Sequence, residues 1–232
     1  MPDQAPCYFE HICAMPRDSC EACRSAGFHY VADHLYIKNS GIPKAYLPSP
    51  ADPSVIIRAQ TGEFALYCRN LTSKVDKGIG AYMWSPNTGN GKTTVGCNLL
   101  LKYLLVNLPR FTHTDIEYPV LYLNVVELLE TLRRQINDPD EEFQHLWSVL
   151  FSTLAPKLLL LDDIGAEKPS EWVKERLYSL INFRSANALA TLFTSNCSTN
   201  DIQKTLGPRN TSRIQGCGVV VEFHGTDKRR GN

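Results

Sequence analysis

Residues 77–94 read KGIGAYMWSPNTGNGKTT. A short apolar strand approached through glycines (77–85) runs into a glycine-containing loop (87–94), and an apolar helical stretch follows from Thr93 to about Leu108. A strand that turns through such a loop into a helix reads as the start of a βαβ unit, and βαβ units build parallel sheets covered by helices. The loop residues Asn87, Thr88, Gly89, Asn90, Gly91, Lys92, Thr93 and Thr94 have the composition of a phosphate cradle. Glycines let backbone N–H groups curl around an anion, and the helix N-terminus adds positive potential. Lys92 would reach the β- and γ-phosphates of ATP, or the phosphates of ADP, and the Thr93 hydroxyl would help to hold Mg2+. One position departs from the G-x4-G-K-[ST] pattern: Pro86 stands where its first glycine would be. Proline fixes φ and removes a donor, so an altered start of the loop and weaker affinity are expected.

The downstream chain keeps the alternation. Strands are predicted at Val120–Val125, Lys157–Leu161, Thr191–Ser195 and Val219–Phe223. Helices are predicted at Val55–Arg69, Glu127–Ile136, Phe143–Leu154, Glu171–Arg184 and Thr199–Leu206, with a short one at Arg209–Gln215. This is an α/β pattern with a parallel sheet flanked on both faces. Leu158-Leu-Leu-Leu-Asp162-Asp163 is a buried strand that delivers two carboxylates to its C-terminal end, the end at which open α/β sheets bind ligands. Asp162 suits Mg2+, and Asp163 suits orienting or deprotonating an attacking water. Glutamate is more usual in that second role, so slow turnover is expected. Thr194-Ser195-Asn196 ends the next strand, so Asn196 can reach a γ-phosphate or the attacking water. Arg209 and Arg213, four apart, share one helix face. They suit an arginine finger offered to a neighbouring subunit.

Cysteine usage marks a second region. Four of the eight cysteines, Cys7, Cys13, Cys20 and Cys23, fall within the first 23 residues. Cys20-Glu-Ala-Cys23 has the C-x2-C spacing of a zinc knuckle, and Cys7 and Cys13 are the natural second pair for Zn2+. His11, His29 and His34 are nearby substitutes, and four free thiols is the plain alternative. The reading divides the chain into a Cys-rich zinc module (1–40), a proline-rich linker (41–54) and an ATPase domain (55–232).

Composition narrows the function classes. The chain has 24 basic and 24 acidic residues among 232, so it is no polycation, and any nucleic-acid contact needs a local patch. Hydrophobic residues at 43% argue against a mostly disordered chain. The start does not read as a signal peptide, and no run of about 18 apolar residues occurs, so a cytoplasmic protein without membrane association is expected.

The runs LLLLDDIGAEKPSEW (158–172), ATLFTSNCS (190–198) and LGPRNTSRI (206–214) resemble AAA+ replicative helicase loaders of the DnaC and DnaI type. GIPKAY (41–46) and 77–94 also sit where that family places its linker and P-loop. By this resemblance Asp162 and Asp163 form the Walker B pair, Asn196 is sensor 1, Arg213 is the arginine finger and Arg230 is a sensor-2-like arginine. The resemblance further implies an ATPase that binds a hexameric replicative helicase through its N-terminal region and single-stranded DNA through its ATPase domain. It implies self-association as a spiral that places the helicase ring on DNA. Arg133 and Arg134 fall where the family lines its DNA channel, and a solvated helix face beside Glu127 and Glu130 is the plainer alternative. Two other functions fit the residues: an IstB-like transposition-helper ATPase, and a nucleotide-binding adaptor with little hydrolysis.

Overall fold

Leucines 158–161 carry no polar alternation because both faces of their strand are covered. In the computed structural model, which describes residues 37–47, 62–111, 114–135, 137–166 and 170–224, this strand lies within a five-stranded parallel sheet. The strands are β1 (Gly80–Trp84), β2 (Val120–Asn124), β3 (Leu158–Asp162), β4 (Ala190–Ser195) and β5 (Gly218–Glu222), in the spatial order β2-β3-β4-β1-β5. The helices are α1 (Glu63–Arg69), α2 (Leu71–Asp76), α3 (Lys92–Phe111), α4 (Val125–Arg134), α5 (Glu141–Leu150), α6 (Glu171–Ala186) and α7 (Thr199–Gln215).

The period of two along each strand sorts the core into two layers. Leu158 and Leu160 pack with Leu100, Leu104 and Tyr67 under α3, α1 and α2. Leu159 and Leu161 pack with Leu129, Val173, Leu177 and Ile202 under α4, α6 and α7. Tyr122 and Asp162 have the parity of Leu158 and Leu160, so both lie on the face covered by α3. That is why the first turn of α3 meets Asp162.

The predicted elements all appear, with shifted ends. α4 follows β2 without a loop and begins at Val125, because the Asn124 side chain accepts the Glu127 N–H at 3.2 Å and caps the helix there. The 199–215 stretch is one helical element broken at Gly207 (φ 82°), followed by Pro208. Only α1 falls inside the helix predicted at Val55–Arg69, with residues 55–61 outside the described set, and α2 follows it after Asn70.

Residues 41–47, read as the front of a linker, are part of the folded body. Ile37 and Ile42 are buried in the α3-side core, and Ser40 accepts the Tyr122 N–H through its carbonyl at 2.7 Å, covering the free edge of β2. The contact requires glycine at 41 (φ 68°), since a Cβ there would lie 2.7 Å from the Tyr122 carbonyl oxygen. Among the described residues no helix is long and apolar enough to cross a membrane.

Candidate functional site

Three strand ends converge at the C-terminal edge of the sheet. β1 feeds the 85–91 loop, β3 ends at Asp162, and β4, which lies between them, ends just before Asn196. The strand order therefore sets β4 residues between the loop lysine and the carboxylate. Lys92, 6% exposed, donates from Nζ to the Asn87 carbonyl (2.9 Å), Asn90 Oδ1 (3.2 Å) and Asn196 Oδ1 (3.1 Å). These contacts hold the ammonium at the loop, where it lines the cleft that an incoming phosphate would enter.

The loop keeps its shape without the first glycine of the pattern. Pro86 is exposed, and the Ser85 hydroxyl accepts the Asn87 N–H at 3.2 Å, which organises the turn around it. Positive φ falls at Gly89 (70°) and Gly91 (94°) instead. Asn90 ties the loop to the end of β5 by donating to the Phe223 carbonyl at 3.1 Å. The altered loop start expected from Pro86 is thus accommodated locally.

Asp162 is 3% exposed and receives three hydroxyl donors. Thr93 donates to Oδ1 at 2.9 Å, Thr194 donates to the same oxygen, and Tyr122 donates to Oδ2 at 2.9 Å. Burial first, and then the Asp162 charge, push the Tyr122 phenol well above its ordinary pKa, so it stays a donor. The Thr194 hydroxyl also accepts the Asp163 N–H at 3.0 Å. Asp163 takes φ 58°, which turns it off the strand axis toward the cleft. The cleft between these groups has a volume of about 430 Å3 and is closed on one side by Ala45 and Tyr46.

These donors fit a magnesium nucleotide. The Thr93 hydroxyl and the Asp162 carboxylate are hard oxygen ligands held 2.9 Å apart, the set Mg2+ takes when the remaining ligands are phosphate and water. Lys92 and the turn of backbone over Gly89–Gly91 suit the phosphates.

The other expected residues fall elsewhere. Arg213 is exposed and lines a separate cleft at the N-terminal edge of the sheet, beside Lys74, Lys77 and Gly218. It is not near the nucleotide cleft of its own chain. Arg209 is exposed one turn earlier. Arg133 and Arg134 are exposed on the last turn of α4, where Arg134 donates to the Thr131 hydroxyl at 3.1 Å. Cys7, Cys13, Cys20, Cys23 and Arg230 lie outside the described residues, as do residues 48–54 of the linker. Among the described residues no group of three or more potential ligands could hold a metal by itself.

Tyr122, Thr194 and Tyr46 belong to the site although sequence reasoning gave them no role in it. Tyr122 carried a signal, a hydroxyl in the middle of the apolar run Val120–Leu123. Thr194 stood within the run that pointed to Asn196. Tyr46 carried none, because only the fold brings residues 41–47 over the cleft.

No family model matches the chain. It is 28% identical over 154 residues to the replicative helicase loader DnaI of Bacillus subtilis (strain 168), across 66% of this chain and 43% of that protein. The chain therefore spans less than half the length of this relative. Among solved structures, the DnaC helicase loader superposes with a TM-score of 0.58 at 20% identity, over 78% of this chain and all of that one. The replication initiator DnaA, bound to AMPPCP and single-stranded DNA, superposes with a TM-score of 0.54 at 18% identity, over 75% of this chain and 50% of that one. The fold is that of the DnaC helicase loader and of the initiator DnaA, and the chain resembles helicase loaders of the DnaC and DnaI type in both sequence and architecture.

Proposed function

We propose that this protein is an ATP-dependent loader of a hexameric replicative helicase onto single-stranded DNA. The observation that carries the reading is the joining of Lys92, Asn196, Thr93 and Asp162 through hydrogen bonds at three strand ends, in a chain whose relative is a helicase loader.

In this reading Lys92 binds the β- and γ-phosphates and Asn196 holds Lys92 in line with them. Thr93 and Asp162 would hold Mg2+, which would supply positive charge against the phosphate oxygens. Asp163 orients the attacking water and takes its proton, with its backbone fixed by Thr194. Tyr46 covers the cleft. Arg213 acts on the nucleotide of a neighbouring copy, so hydrolysis rises with assembly, and Arg230 approaches the nucleotide of its own chain. Arg133 and Arg134 neutralise backbone phosphates of the DNA. The segment 1–40 binds Zn2+ through Cys7, Cys13, Cys20 and Cys23 and faces the helicase, and the protein acts in the cytoplasm. The single-stranded DNA named with the DnaA structure supports the DNA part of this reading.

Size-exclusion chromatography with light scattering tests it. The protein is mixed with the replicative helicase of its host, ATP and Mg2+, alongside a Cys20→Ser/Cys23→Ser variant whose zinc content is measured. The expected result is a large co-eluting complex, lost together with zinc in the variant. Absence of a complex under every nucleotide condition would overturn the loader reading and favour a transposition helper or an adaptor.

A further inference from the structure

A cleft of about 410 Å3 opens at the N-terminal edge of the sheet, the edge opposite the nucleotide site. Three cations from two separate elements line it: Lys74 and Lys77 at the end of α2, and Arg213 at the end of α7. Glu63 is the single carboxylate in the lining. The side chains of Lys74, Lys77 and Arg213 make no ion pair or hydrogen bond among the described residues. Lysines at a helix C-terminus are common, because they complement the helix dipole. That accounts for Lys74 and Lys77 along their own helix. It does not account for their meeting a third unpaired cation supplied by another element. Three uncompensated cations in one concavity focus a positive field, which suits a polyanion.

Geometry says which polyanion. The strands between the two edges run five to six residues, or about 16–20 Å at about 3.3 Å per residue. No side chain bridges that span, so the basic cleft cannot serve the nucleotide bound by its own chain. The opposite edge holds Asp162, Asp163 and Lys92, and the phosphates of a bound nucleotide would make it strongly negative. One edge of the sheet is thus complementary in charge to the other edge of a second copy. A contact between two different patches of the same chain is heterologous, and it repeats from copy to copy as a ring or a helix.

We propose that Lys74 and Lys77 join Arg213 in a composite half-site that receives the nucleotide phosphates of a second copy of this chain. The inference rests on the reading of Arg213 as acting between copies and adds the α2 lysines to it. The lysines contribute attraction and register, and the guanidinium contacts the γ-phosphate. They are positioning residues, outside the machinery that binds nucleotide within one chain.

Sedimentation velocity with AMPPCP and Mg2+, beside titration of a fluorescent ATP analogue, tests this. Lys74→Ala/Lys77→Ala should bind the analogue within twofold of wild type, yet need at least tenfold more protein to assemble. Its assembly should also respond less to salt. Lys38→Ala/Lys204→Ala, which removes the same charge elsewhere, should assemble as wild type. Mixing gives a second readout. Lys92→Ala lacks the nucleotide contact but keeps the basic cleft, so it should raise ATP hydrolysis when added to Lys74→Ala/Lys77→Ala at a concentration too low for that variant to assemble by itself. Wild-type assembly by the double lysine variant would overturn the inference while leaving nucleotide binding and helicase loading intact. A wild-type protein that binds no nucleotide would overturn both readings.

Discussion

The two edges of the sheet each hold a buried charge, and they use it differently. At the C-terminal edge, Asp162 accepts from the hydroxyls of Thr93, Thr194 and Tyr122. At the N-terminal edge, Arg184, 1% exposed, donates to the Thr191 hydroxyl (2.9 Å) and to the carbonyls of Pro156 (3.0 Å) and Ala190 (2.6 Å). Each charge is surrounded by neutral partners of the right polarity, so each is satisfied without an opposite charge to neutralise it. Asp162 borders a cleft wide enough for a ligand, and its charge remains available to a cation. Arg184 is sealed by α6 and by the starts of β3 and β4, and its charge serves only to fasten them together. Access to a cleft, more than burial or bonding, separates a buried charge that can meet a ligand from one that serves the fold alone.

Breaking the sealed edge should have the largest effect. Arg184→Ala leaves a cavity and strands two buried carbonyls and a hydroxyl, so stability should fall by about 3–5 kcal/mol in chemical denaturation. Burial lowers the Arg184 pKa, and a lysine offers a point charge in place of the three-way fork, so Arg184→Lys should recover little of the loss. Nucleotide affinity of the folded fraction should be unchanged, and a parallel loss of affinity would show that the two edges are coupled.

Removing the cation of the open edge comes next. Lys92→Ala should weaken nucleotide binding at least about a hundredfold, equivalent to about 3 kcal/mol, with a melting temperature within a few degrees of wild type. Thr194→Val is milder. It deletes one donor to Asp162 and the acceptor of the Asp163 N–H, so turnover should fall about tenfold with nucleotide affinity kept within twofold. An equal loss in both would place Thr194 in binding and not in the alignment of the carboxylates.

The smallest effect is a pH dependence. Burial pushes the Cys68 thiol up to about 11 and the Cys217 thiol up to about 12, both from 9.0. The unfolded chain releases these protons from about pH 9, earlier than the folded one does. Their contribution to stability is therefore complete below pH 9 and is lost as pH rises through 11 for Cys68 and 12 for Cys217. Denaturation midpoints measured from pH 8 to 11 should fall, and Cys68→Ala should flatten the slope.

The sheet was legible because β1 to β4 are largely buried and bounded by clear breaks. The all-leucine run 158–161 and the 77–94 segment mark β3 and β1 without knowledge of any neighbour. Asp162, Asn196 and Lys92 were legible because strand ends and loop glycines fix where such residues must gather. Tyr122 and Thr194 were harder, since their roles depend on strand order, which sets β4 beside β3 and gives Tyr122 the face of Asp162. The basic cleft was not legible. Lys74 and Arg213 are 139 positions apart in the chain, and only the packing of α2 and α7 at one sheet edge joins them.

Loading itself is tested most directly on circular single-stranded DNA, which has no end over which a closed ring could thread. The hexameric helicase, ATP and Mg2+ are incubated with the circle, with and without this protein, and the helicase retained after a salt wash is quantified. The account predicts retention that needs this protein and is lost with Lys92→Ala. Equal retention with and without the protein would contradict it.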